Sequence, residues 1–236
     1  MLLLQSDDPL KTEYCVILGG LFPPFFMDDI LYSRFSKTPF LKLEKMDGHS
    51  PIMKATMPKE ILTEVKGWIK ECRKIKDHPL AELKAHKNAG YQYLGDGIKH
   101  NTYQCSVPVR LVEESFWNIW ILKLVAKHYG SGQSYRSFCI RNPSGLSYDD
   151  EYGIWANFSY KGDDNPSHNH VTNDGFLSGV MYVYNDGQPT IFPHFNAVTD
   201  AKEGNLYLWP CDCDHYVEKK TTRKERVSIA FNIVKA

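Results

Sequence analysis

The sequence predicts a mostly β fold with flanking helices, a sandwich or barrel that carries a helix-rich N-terminal part. Three observations predict it. From about Ser134 onward, short runs of β-like residues are separated by turn residues. In the first half, two segments repeat apolar residues at helical spacing. Strands and helices do not alternate in the second half, which argues against a parallel sheet with crossover helices.

In chain order, Tyr14-Cys15-Val16-Ile17-Leu18 reads as a short strand closed by Gly19-Gly20. Pro23-Pro24 opens a segment in which Ile30, Leu31 and Phe35 share a helical face. The clearest helix runs from Pro58, tolerated at a first helical position, to Ile75. Its Ile61, Val65, Trp68, Cys72 and Ile75 form one stripe, a packing surface. A second helix is predicted from Glu113 to His128, with Trp117, Trp120, Ile121 and Leu124 inward and Gly130 as its stop. Strands follow at Tyr135–Arg141, Tyr152–Tyr160, Leu177–Tyr184, Thr190–Phe192, Asn205–Trp209 and Arg226–Val234. Between them, Gly162-Asp163-Asp164-Asn165-Pro166 and Asn185-Asp186-Gly187 read as turns. We expect a single domain over 1–236, helix-rich over 1–133 and β-rich over 134–236.

Composition narrows the function. Lys plus Arg and Asp plus Glu both number 28, so no global field draws in nucleic acid or an anionic membrane. The basic cluster Lys219-Lys220, Arg223, Lys224 and Arg226 is diluted by Glu218 and Glu225 and reads as a solvated turn. The longest apolar stretch, Phe116 to Val125, is too short to span a bilayer. Six dispersed cysteines without a secretory leader suit a cytoplasmic protein with reduced thiols, in the host's cytoplasm for a virus-encoded chain. Glycine-loop nucleotide motifs and a GxSxG elbow are absent.

Three features carry chemistry. His168-Asn169-His170 places two imidazoles on one side of an extended chain, where both can meet one ion. His215 follows the tight Pro210-Cys211-Asp212-Cys213-Asp214 connection. In Arg226-Val227-Ser228-Ile229-Ala230-Phe231-Asn232, alternation separates an apolar face from one bearing Arg226, Ser228 and Asn232. That is the pattern of a pocket wall, or of a surface strand with its polar side in water. Cys211, Cys213 and His215 alternatively make three ligands of a structural zinc site.

These residues, taken with Trp155-Ala156-Asn157, Gly162-Asp163-Asp164-Asn165 and Ser178-Gly179-Val180, resemble the Fe(II)- and 2-oxoglutarate-dependent oxygenases. Within that superfamily they are most similar to bacterial and phage proteins distantly related to prolyl hydroxylases. The pattern runs in order from Gly153 to the C-terminal end of the sequence. The resemblance implies a double-stranded β-helix (jelly-roll, cupin-like) core and assigns His168, His170 and His215 as iron ligands. His170 stands where most of the superfamily carries Asp or Glu, and Asp174 is a reserve carboxylate. Arg226 and Ser228 are implied to bind the distal carboxylate of 2-oxoglutarate, with Tyr182 a second candidate and Asn157 lining the same pocket. The implied activity is hydroxylation of a peptide prolyl residue or a small molecule, consuming O₂ and forming succinate and CO₂, with ascorbate a candidate reductant. Partners would be the small-molecule co-substrate and a peptide, protein or metabolite substrate. Two other readings stand beside it. One is a three-histidine cupin-type dioxygenase that uses no 2-oxoglutarate; the other is a jelly-roll binding module with a degenerate metal site. Tyr91, Tyr93 and Tyr103, around Gly90 and Gly95-Asp96-Gly97, are expected to form a substrate lid.

Overall fold

The structure, a computed structural model, describes residues 42–46, 50–76, 102–113, 115–130, 135–137, 153–171, 175–184 and 187–235, all within the unit Phe40–Ala236. The strand at Tyr14–Leu18, the helix after Pro24, most of the tyrosine lid and Asp174 lie outside the described residues.

The strands are β1 (Glu44–Lys45), β2 (Met53–Thr56), β3 (Tyr103–Ser106), β4 (Tyr135–Ser137), β5 (Ile154–Ser159) and β6 (Asn165–His168). They continue with β7 (Gly175–Tyr184), β8 (Ile191–Phe192), β9 (Ala197–Val198), β10 (Asn205–Pro210), β11 (His215–Val217) and β12 (Arg226–Lys235). The helices are α1 (Lys59–Lys76), α2 (Val109–Glu113) and α3 (Phe116–Tyr129). Among the described residues the larger sheet has the order β1-β2-β10-β7-β12-β5-β3, with β4 also beside β12, and the smaller is β6-β11-β8-β9. All pairings are antiparallel. This is the two-sheet jelly roll with N-terminal helices that the sequence predicts, and no helix among the described residues is long and apolar enough to cross a membrane.

Two apolar layers hold it. The α1 stripe is buried at Ile61, Val65, Trp68 and Cys72. It meets Trp117 of α3, whose ring stands edge-on to Trp68 at 5.5 Å and to Phe231 of β12 at 5.1 Å. The helices thus cover the apolar face of β12, where Val227, Ile229, Phe231 and Ile233 are fully buried. A second cluster, including Ile52, Val180, Tyr182, Phe192, Tyr207 and Trp209, lies on the other side of the larger sheet. The polar face of β12 is therefore not in water: Arg226, Ser228 and Asn232 are 4%, 0% and 6% exposed.

Several elements depart from the sequence reading. The helix expected over Glu113–His128 begins at Phe116, with Glu113 closing the separate α2. Ser115, in extended geometry, caps α3 by accepting from the Asn118 amide, and Gly130 stops it at φ 104°. Asn165–His168, expected as turn and loop, is a strand. Pro166 is tolerated there because β6 lies at the edge of its sheet, where a ladder can miss an amide. Tyr103 sits in β3 with its ring 6.1 Å from that of Phe158, so it is a packing residue and not part of a lid.

Gly179 explains the Ser178-Gly179-Val180 pattern. It lies opposite Phe231 across β7 and β12, and a Cβ there would land on the Phe231 ring, 2.8 Å from both Cε atoms.

Candidate metal centre

The smaller sheet brings distant histidines together by register. His168 ends β6 and His215 begins β11, and the two are cross-strand partners with ring centroids 4.4 Å apart. His170 lies two residues beyond the end of β6, tied back by its amide to the Cys211 carbonyl at 2.8 Å. Its ring centroid lies 5.1 Å from that of His168 and 5.2 Å from that of His215. One ligand atom from each of these histidines lies within 4.8 Å of the others, a group that can hold a metal ion. Among the described residues neither Cys211 nor Cys213 joins it, so the zinc grouping does not form; Cys213 is buried, and burial beside Asp212 pushes its thiol up to about 12.

Each imidazole is oriented through its other nitrogen. His168 Nδ1 lies 2.8 Å from the Pro166 carbonyl and His215 Nδ1 3.0 Å from the Cys213 carbonyl. His170 Nδ1 lies 3.0 Å from Asn232 Oδ1, which also accepts from Ser178 Oγ at 2.9 Å. A carbonyl oxygen can only accept, so each Nδ1 carries the proton and Nε2 carries the lone pair. Fixing the tautomer in this way is what a ligating histidine requires. The rings are also confined by aromatics. Trp155 stacks on His170 at 5.5 Å, and Trp209 stands edge-on to His215 at 4.8 Å. Asn169, between the two histidines, donates to Asp214 at 2.8 Å and helps hold that carboxyl below its usual range, together with His194. The His-Asn-His segment is thereby tied to the loop that carries His215.

The histidines border a pocket between the two sheets with about 530 Å³ of unfilled space, its open mouth included. Arg226, Ser228, Asn157 and Thr190 line it, together with Gln104, which the sequence reading did not single out. Arg226 lies over the Tyr182 ring at 5.4 Å and donates from Nε to the Gln188 carbonyl at 3.3 Å. No carboxylate of the described residues pairs with this buried guanidinium. Ser228 Oγ is buried without a hydrogen-bond partner. Tyr182 is fully buried and does not line the pocket. Its hydroxyl is taken by Thr190 Oγ1 at 2.9 Å and Thr199 Oγ1 at 2.7 Å, while the Thr190 amide donates to it at 3.0 Å. The tyrosine thus supports Arg226 with its ring, while its hydroxyl is committed to Thr190 and Thr199.

Fold and site together define a double-stranded β-helix protein with three histidines and a buried arginine around one pocket. The solved structures it resembles are more particular. AviO1 from Streptomyces viridochromogenes Tue57 aligns with a TM-score of 0.52, covering 78% of this chain and 90% of its own at 8% identity. The non-haem α-ketoglutarate-dependent epimerase SnoN from nogalamycin biosynthesis aligns with a TM-score of 0.51, covering 79% and 78% at 13% identity. The chain therefore shares the fold of AviO1 and of this α-ketoglutarate-dependent epimerase. No protein-family model and no curated protein matches the sequence.

Proposed function

We propose that the chain is an Fe(II)- and 2-oxoglutarate-dependent dioxygenase that hydroxylates a peptide prolyl residue or a small molecule. The observation that carries this reading is Arg226, a buried guanidinium with no carboxylate partner, in the pocket that the histidines border. A buried charge left unpaired is costly, so its position is best explained by an anionic ligand.

His168, His170 and His215 would hold Fe(II) through Nε2, a donor set that suits this ion, and three neutral imidazoles leave it without a charge-balancing protein ligand. The bound iron supplies the activation of O₂. Arg226 would take the distal carboxylate of 2-oxoglutarate in its planar fork, and Ser228 Oγ would donate to the same group. Both needs of the dicarboxylate are then met by polar atoms that the protein itself leaves without an anion or an acceptor. The Tyr182 ring keeps the guanidinium in place, and Trp209 and Val217 narrow the space left to water. The balance is one 2-oxoglutarate, one O₂ and one C–H bond going to succinate, CO₂ and one C–OH, with ascorbate a candidate reductant between turnovers. The neutral His170 also supports a second reading, the three-histidine dioxygenase that needs no dicarboxylate.

Anaerobic visible absorption with Fe(II), before and after 2-oxoglutarate, decides between them. A charge-transfer band that appears with 2-oxoglutarate and is lost in His215→Ala and in Arg226→Ala is the expected result. Tight iron binding without a band would leave the three-histidine dioxygenase, and no iron binding would reduce the chain to a binding module.

A further inference from the structure

One inward row of the larger sheet carries more hydrogen-bonding capacity than the protein uses. Gln104 lies opposite Asn157 across β3 and β5, and Asn157 opposite Ser228 across β5 and β12. All three line the pocket and are 9%, 8% and 0% exposed, respectively. Neither the Gln104 nor the Asn157 carboxamide hydrogen-bonds to another side chain or to a backbone group outside the ladder. Polar side chains that face a pocket without a partner in the protein are free to serve a ligand there. Solvent serves them in the free protein, and a ligand replaces it.

We infer that Gln104 and Asn157 form a recognition pair for an uncharged amide group of the substrate, a peptide bond or carboxamide. The inference rests on the oxygenase reading of the pocket only for the word substrate. Each carboxamide offers a donor and an acceptor, and two of them side by side match a group that has one of each. A carboxylate offers only acceptors and would give neither amide oxygen a donor. The anionic subsite is supplied separately by Arg226 and Ser228, so the row runs from a charged end to a neutral one. Trp155, on the same face of β5 as Asn157, stacks on His170, and the amide pair lines the same pocket as that histidine.

The test uses N-acetylglycinamide as probe on the full chain loaded with Zn(II) and 2-oxoglutarate, read by saturation-transfer NMR. Binding to wild type and at least tenfold weaker binding to Gln104→Leu and to Asn157→Leu is the expected result. Thermal melts of the ligand-free variants give a reading that needs no probe. If the amides exist for a ligand, the near-isosteric leucines leave the melting midpoint unchanged or raise it. Three results of these measurements overturn the inference: no binding of the amide to wild type, equal binding to the variants, or a midpoint several degrees lower in both. A loss of the Fe(II)/2-oxoglutarate band in Gln104→Leu would also overturn it, since the amides would then serve the co-substrate. If wild type shows no such band yet binds the amide through this pair, the oxygenase reading fails and the recognition pair stands.

Discussion

His170 and Asn232 are joined by a 3.0 Å hydrogen bond from Nδ1 to Oδ1, and Ser178 secures the same oxygen from the other side at 2.9 Å. The carboxamide is thus a positioning group: it sets the tautomer of His170. Asn232→Ala should weaken binding of a divalent ion by about 10–100-fold, as loss of a histidine's outer partner generally does. Asn232→Asp keeps the acceptor oxygen and should retain affinity. Titration with Co(II), followed by its visible spectrum, separates the two; unchanged affinity in the alanine variant would show that Trp155 stacking alone orients the ring.

Gly179 and Phe231 form a pair in which one residue must lack a side chain because the other has a large one. Gly179→Ala should destabilise the fold by about 1–3 kcal/mol, the usual range for overpacking a filled core. Adding Phe231→Leu should restore part of that loss. Urea denaturation of the single and double variants measures both, and an unchanged midpoint in Gly179→Ala would refute the steric account.

Glu64 on α1 accepts from the backbone amides of Phe116 and Trp117 at 3.1 and 2.9 Å, closing the N-terminus of a different helix. Burial nevertheless raises its carboxyl above the ordinary range, against the pull of those two amides. A folded-state pKa above the unfolded one means that this group's contribution is complete below the unfolded value, about 4.3 for Glu, and is lost as pH rises through the folded value. Glu64→Gln cannot ionise, so wild type should lose stability relative to this variant as pH rises above about 4.3, the ordinary value for Glu. Glu64→Ala, which removes both acceptors, should cost about 1 kcal/mol, as removal of a helix cap does. Thermal melts across that pH range test the sign, and parallel curves for wild type and Glu64→Gln would contradict it.

What the sequence determined by itself was local and periodic. The stripe from Ile61 to Cys72 specified α1 and its buried face, and the alternation from Arg226 to Ile233 specified β12 and its two unlike faces. The spacing of His168 and His170 put two imidazoles on one side, because side-chain direction along an extended chain follows from the chain alone. The cap at Ser115 was also written there, hidden by apolar residues that run on past the break.

Tertiary structure decided what depends on register between distant strands. Only the pairing of β6 with β11 sets His215 opposite His168, and only the pairing of β3 with β5 brings Gln104 beside Asn157. No local signal marks Gln104, since its partners are far away in the chain and its own strand is short. Asn232 lies on the face that the alternation assigns to it, but its role exists only because His170 folds back over β12. Tyr182 shows the opposite case: the strand pattern turns it inward, and the threonines at 190 and 199 then claim its hydroxyl. A one-residue slip in any of these ladders would send the same side chains to the opposite face, which is why register, and not composition, assembles the site.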